Sequence, residues 1–205
     1  MVVKNYLQTT KTARYFTLGE LNPQTQEIWI VLHGYAQLAS DFIVVFESIA
    51  TPERFIIAPE GLNRFYAKGF GGKPAATWMT SEDRENEISD YVNFLNKLCT
   101  GLNFPIEAKI ILLGFSQGVA TASRFLNQTT LKINHFKICS GELAAELINP
   151  ATDIILNTPK TYYTSATDPF INAEKLDDVK KLMQKIGAEV VIFEGGHEVK
   201  PLLLI

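Results

Sequence analysis

Within the stretch KIILLGFSQGVATASRF, Lys109 to Phe125, a serine stands between two glycines as Gly114-Phe115-Ser116-Gln117-Gly118. An apolar run ends just before it, and a small-residue helix pattern with Val119, Ala120 and Ala122 opens after it. This G-x-S-x-G spacing suits a nucleophile elbow, in which serine occupies a strained strand-to-helix turn and the glycines let neighbouring backbone approach. At average usage the pattern arises by chance about 0.07 times in a chain of this length. The surroundings therefore carry more weight than the pentapeptide.

A serine hydroxyl is a weak nucleophile and needs an oriented base. There are three histidines. His135 lies inside a strand pattern ahead of Phe136 and Ile138, which reads as a packed or edge-strand position. His33 follows a strand pattern but precedes the serine, out of order for a Ser…Asp/Glu…His site. His197 follows the last strand pattern in VVIFEGGHEV, behind two glycines, and is the best candidate base. The acid should lie between Ser116 and His197. Asp168, in TYYTSATDPF, is favoured over Glu142 in CSGEL because its strand directly precedes the one that leads to His197. Asp153 reads as a helix or turn residue. An oxyanion hole is the remaining requirement, with backbone N–H groups expected from Gln117, at a helix start, and from Tyr35 in HGYAQ.

The elements that must hold these residues are short runs rich in β-branched and aromatic residues. They are Ala13–Leu18, Glu27–Leu32, Phe55–Ala58, Lys109–Leu113, His135–Cys139, Lys160–Ser165 and Glu189–Phe193. Most are apolar almost throughout, as befits strands of a parallel sheet buried on both faces. Helical spacing occurs between them, in Glu82–Leu98 with Ser81 and an acidic first turn, and in Asn172–Ile186. The expectation is one α/β domain over residues 1–205, a mostly parallel central sheet with helices on both faces. The interval Gly19–Gln26 is too short for a helical crossover, so the first two strands are expected to form an antiparallel edge hairpin. The 23 residues Pro59–Ser81, with Phe65, Tyr66, Phe70 and Trp78, read as a long loop that forms a pocket wall or a surface excursion.

A net charge of −3 leaves no basic footprint for nucleic acid. Cys99 and Cys139 have no metal-ligand spacing and read as buried apolar residues. The start MVVKNYLQTTK turns polar too soon for a secretory leader, and no run reaches the roughly 18 apolar residues of a membrane span. A reduced, cytoplasmic protein is expected.

VLHGY (Val31–Tyr35), APEG (Ala58–Gly61), GFSQG (Gly114–Gly118), TDP (Thr167–Pro169) and GGHEV (Gly195–Val199) occur in one order across nearly the whole chain. Together they resemble the α/β-hydrolase superfamily, and within it the small carboxylesterase, phospholipase and acyl-protein thioesterase family. The resemblance implies an α/β-hydrolase fold with no cap domain, Ser116 as nucleophile, Asp168 as acid, His197 as base, and Tyr35 and Gln117 as oxyanion donors. Ala36 and Val119 stand where the family commonly has glycine, adding bulk near the oxyanion and nucleophile segments. Eight residues follow His197, enough for a stub in place of the usual final helix. The expected activity is serine hydrolysis of short- to medium-chain acyl esters or thioesters, lysophospholipid included, without metal or cofactor. Trp78, Phe70 and Met79 are expected to contact substrate, and the apolar tail Leu202–Ile205 to finish a core or seed a homodimer. A peptidase or amidase of the same fold, and a non-catalytic hydrolase-like binding protein, are the alternatives.

Overall fold

The computed structural model describes residues 1–171 and 173–205. Nine strands are present among them: β1 (Tyr15–Leu18), β2 (Glu27–Leu32), β3 (Arg54–Pro59), β4 (Asn63–Tyr66), β5 (Pro74–Thr77), β6 (Lys109–Phe115), β7 (Ile133–Cys139), β8 (Lys160–Ser165) and β9 (Glu189–Phe193). The α-helices are α1 (Ala39–Val44), α2 (Arg84–Gly101), α3 (Gln117–Gln128), α4 (Asp153–Asn157) and α5 (Ala173–Lys185). Asn172, the first residue of the helix expected over Asn172–Ile186, lies outside the described residues, as does the side chain of Ala173.

Seven strands form one sheet in the order β1-β3-β2-β6-β7-β8-β9, parallel except for β1. The continuous apolar runs of β2, β3 and β6 are explained by burial on both faces. On one face Ile28, Ile30, Leu112, Phe136 and Ile138 pack with Tyr91 and Leu95 of α2, Val119 and Phe125 of α3, and Met183 of α5. On the other, Trp29, Val31, Leu113 and Tyr163 meet Phe42 of α1, Phe46 and Ile49 of the 3-10 turn that follows it, and Val199 and Leu204. The chain after His197 is thus a 3-10 turn, Pro201–Leu203, that closes this second layer, while Leu202, Leu203 and Ile205 face outward. Cys99 and Cys139 are free and buried, and burial pushes both thiols up to about 12. No helix among the described residues is long and apolar enough to cross a membrane.

Three expectations are corrected. β1 lies at the edge and is antiparallel, but it pairs with β3 (Tyr15 with Pro59, Leu18 with Ile56) and not with β2. Both edges of β2 are taken by β3 and β6, as its apolar run Ile28 to Leu32 demands, whereas β1 alternates in burial as an edge strand should. The turn out of β1 uses Gly19 at φ +84°, where a Cβ would stand 2.6 Å from Arg54 O. Pro59–Ser81 is not a bare loop either, since it holds the antiparallel pair β4–β5 with a 3-10 turn, Gly69–Gly71, at its tip. Finally, α2 is preceded by Asp83 in the left-handed region rather than by Ser81. The Asp83 carboxylate is bound by Lys4 Nζ and, at 2.9 Å, by Tyr6 O–H from the N-terminal arm.

Candidate active site

Ser116 joins β6 to α3 with φ +52° and ψ −119°, a conformation costly for a residue with a side chain. Close packing enforces it. A Cβ at Gly118 would stand 2.2 Å from Leu32 O, and one at Gly114 would stand 2.5 Å from Gly118 O. The Ser116 N–H donates to Cys139 O at 2.9 Å, which pins the turn to the end of β7. Gln117 is the first residue of α3, so its N–H has no partner within the helix.

The loops after β8 and β9 bring the other two residues together. Asp168 is 3% exposed; its Oδ2 lies 2.7 Å from His197 Nδ1, and its Oδ1 accepts from Phe170 N–H at 2.9 Å. A carboxylate so held fixes the imidazole with a proton on Nδ1 and leaves Nε2 unprotonated when the ring is neutral. The His197 ring packs against Phe115, the residue before Ser116, at 4.8 Å, and against Phe170 at 4.7 Å. Gly195 O accepts from Thr167 Oγ1 at 2.5 Å and from Ser165 Oγ, so the two loops are tied to each other. Glu142, the rival acid, is exposed and paired with Lys175 at 2.8 Å. Asp153 opens α4, as expected of a helix residue.

His33 is wholly buried. Its Nε2 accepts from Gly61 N–H at 3.0 Å, so its proton sits on Nδ1, which donates to Gly34 O at 2.7 Å. Burial holds this imidazole below its ordinary pKa. It shapes the loop that carries Tyr35 rather than serving as a base. Gly34 N–H donates to Gln37 Oε1 at 2.8 Å and Ala36 N–H to Ala76 O at 3.0 Å, on either side of the Tyr35 N–H. A Cβ at Gly34 would stand 3.2 Å from the Ser116 Cβ, so this loop lies against the Ser116 turn. His135, in β7, is half-buried with Nε2 3.0 Å from Thr161 Oγ1, and burial lowers its pKa as well.

The expected substrate contacts divide. Met79 is partly exposed, its Sδ 3.6 Å from Arg124 Nη1. Trp78 is 1% exposed. Its ring stacks on His33 at 4.9 Å, and its Nε1–H donates to His33 O at 2.8 Å. A buried indole needs such a partner, and the core supplies both partner and stack. Phe70 is fully exposed at the tip of the β4–β5 pair. Tyr35 is exposed and stacks on Phe65 at 5.4 Å. A concavity of about 430 Å³ lined by Leu21, Asn22, Pro23, Leu102, Asn103 and Pro105 lies at the amino ends of the strands, away from Ser116.

Two groups near the site were not foreseen. Buried Glu60 accepts from Arg14 Nε at 2.6 Å and from Ala39 N–H at 3.2 Å, tying β1 and the start of α1 to the end of β3. Its place in APEG was the available signal. Arg124, inside α3, donates to Glu146 Oε1 at 2.6 Å and to Tyr91 O–H oxygen at 3.1 Å, and it holds the Glu146 carboxyl down to about 2. Nothing in its helical spacing marks it as a buried ion-pair partner.

The two family-common glycine positions are now explained. Ala36 adopts φ +59°, a left-handed conformation that glycine takes more cheaply. Val119 is wholly buried and packs toward Gly141, where a Cβ would stand 2.6 Å from Val119 Cγ2. Its bulk is taken up in the core by the missing side chain of Gly141.

No protein-family model matches the sequence, and no curated protein matches it. Solved structures do. Acyl-protein thioesterase 2 of Zea mays is similar with a TM-score of 0.70 at 17% identity, over 94% of this chain and 95% of that one. Esterase PE8 gives 0.67 at 19% identity, over 92% and 93%. A phospholipase/carboxylesterase from Dyadobacter fermentans gives 0.60 at 18%, over 94% and 91%. At these identities the likeness is one of architecture, and it extends over nearly the full length of each chain. The chain has the α/β-hydrolase fold.

Proposed function

We propose that this protein is a serine carboxylic-ester hydrolase acting on short- to medium-chain acyl esters or thioesters through an acyl-enzyme. The observation that carries the reading is the 2.7 Å bond from His197 Nδ1 to the buried Asp168 carboxylate, beside the strained Ser116 turn. Ser116 Oγ attacks the acyl carbonyl while His197 Nε2 takes its proton, and Asp168 stabilises the imidazolium that forms. The oxyanion is met by the N–H groups of Tyr35 and Gln117. His197 then returns the proton to the departing alcohol or thiol, and a water deprotonated by the same Nε2 releases the acid. Met79, Phe65 and Tyr35 would line the acyl cleft, with Phe170 against the imidazole. The fold shared with proteins described as esterase, acyl-protein thioesterase and phospholipase/carboxylesterase supports this substrate class.

The test is hydrolysis of p-nitrophenyl butyrate against a peptide amide, with fluorophosphonate labelling followed by peptide mass spectrometry. The expected outcome is ester turnover, an adduct on Ser116, and a loss on the order of 10⁴-fold or more in Ser116→Ala. Turnover that survives Ser116→Ala would overturn the reading, and so would an adduct elsewhere.

A further inference from the structure

The two N–H groups assigned to the oxyanion stand on different loops, one after β2 and one after β6. For both to reach a single oxygen at roughly 2.7–3.1 Å, their separation must be held closely. One short segment, Ala76–Met79, touches both loops. On the elbow side the Gln117 carboxamide makes the contact. Its Oε1 accepts from Trp78 N–H at 3.2 Å and lies 3.0 Å from Thr77 Oγ1, and its Nε2 donates to Met79 O at 3.0 Å. The Thr77 hydroxyl is also 3.0 Å from Met79 O, so its one hydrogen can serve either acceptor. On the other side Ala76 O accepts from Ala36 N–H at 3.0 Å, and Trp78 Nε1–H donates to His33 O at 2.8 Å. The residues bonded there flank Tyr35 closely.

The amide orientation of Gln117 follows from its partners. A backbone N–H can only face the oxygen, and a backbone carbonyl can only face the NH₂ group. Glutamate would keep the acceptor but lose the donor to Met79 O. Methionine would keep the length and lose both. Neither reproduces the three-point contact.

We infer that the Gln117 side chain is a positioning residue that spaces the two oxyanion donors, acting through the segment Ala76–Met79 on the His33–Gln37 loop. The inference rests on the esterase reading above. It assigns the carboxamide a task separate from that of the Gln117 backbone N–H. It also makes Trp78 part of the same frame, through its indole N–H and its stack on His33.

The test measures kcat and KM for p-nitrophenyl butyrate, together with the inhibition constant of an alkyl trifluoromethyl ketone. Ser116 Oγ adds to that ketone carbon, the hydroxyl proton passes to His197, and the hemiketal oxygen carries the negative charge into the oxyanion site. In Gln117→Met, kcat should fall about 10–100-fold with KM within about threefold, and the ketone should weaken by a matching factor. Trp78→Phe keeps an aromatic ring on His33 but removes the N–H, and it should move both quantities in the same direction. The double variant should lose less than the product of the single losses, because both changes act on one segment. Thr77→Val and Gln117→Glu carry the same test should Gln117→Met not fold. An unchanged kcat and ketone constant in the folded variants, with only a lowered Tm, would overturn the inference. So would a lost kcat with ketone binding intact. A wild type without Ser116-dependent ester turnover overturns both this and the esterase reading, whereas an active wild type with insensitive variants overturns this one alone.

Discussion

At the scale of single residues, the choice of acid is the sharpest case. Asp168 and Glu142 both follow strands that end on the same edge of the sheet, and spacing along the chain only ranked them. Burial and hydrogen bonding separate them. The Asp168 carboxylate has one oxygen on His197 and the other on a backbone N–H, while Glu142 is exposed and meets Lys175. Asp168→Asn should therefore lower kcat for an ester by on the order of 10⁴-fold, since the amide favours the wrong imidazole tautomer. Glu142→Gln should stay within about twofold, because an exposed pair contributes little. Steady-state kinetics on the two purified variants decides it, and a large loss in Glu142→Gln would reverse the assignment. Ala36 is the opposite kind of residue: its left-handed backbone goes with a bond to Ala76, 40 residues away in the chain, which HGYAQ by itself does not record.

Among elements, the seven strands of the main sheet and helices α2, α3 and α5 were legible, while α1, α4 and the junctions were less so. The pairing of β1 with β3 depends on which strand has a free edge, a property of the whole sheet and not of Gly19–Gln26. The β4–β5 pair was hidden because its strands, NRFY and PAAT, are four residues each and carry no run of β-branched apolar residues. The fit of α3 against the end of β7 is equally a matter of contact. Gly141 lies where a Cβ would stand 2.4 Å from Ser116 O and 2.8 Å from Val119 Cβ. Gly141→Ala should therefore cost about 2 kcal/mol by overpacking and lower kcat by shifting the elbow. Adding Val119→Ala should recover part of the stability but little of the activity, because the clash with Ser116 O remains. Urea midpoints and p-nitrophenyl butyrate rates on the three proteins test this. Equal midpoints for Gly141→Ala and wild type would contradict it.

Over the whole molecule, the two histidines other than His197 couple stability to pH. Burial lowers the pKa of both His33 and His135 in the folded protein, so the unfolded chain binds more protons below their ordinary value of roughly 6.5. Stability therefore rises with pH wherever the unfolded state is the more protonated. It is fully present above about 6.5 and is lost as pH falls from there toward the lower folded-state values. Urea midpoints measured from pH 7.5 down to 5 should decline, and His135→Gln should decline less steeply while keeping the His33 contribution. A midpoint flat across that range would contradict the coupling. Below this window the Arg124–Glu146 pair takes over, since Glu146 is held down to about 2 and its contribution is lost only as pH falls from its ordinary value toward that level.

The sequence by itself determined the alternation of apolar strands and amphipathic helices, because burial on both faces imposes a periodicity that local composition must satisfy. It also determined the order Ser116, Asp168, His197, because each follows a strand and parallel strands all deliver their C-terminal ends to one edge. Tertiary structure alone decided which carboxylate is buried against the imidazole and where β1 pairs. It likewise decided that Trp78 is buried against His33 and that the Gln117 side chain bonds to Thr77, Trp78 and Met79. Those are contacts between residues 29 to 45 positions apart, on different elements or loops, and no local pattern records a partner that the chain meets only when folded.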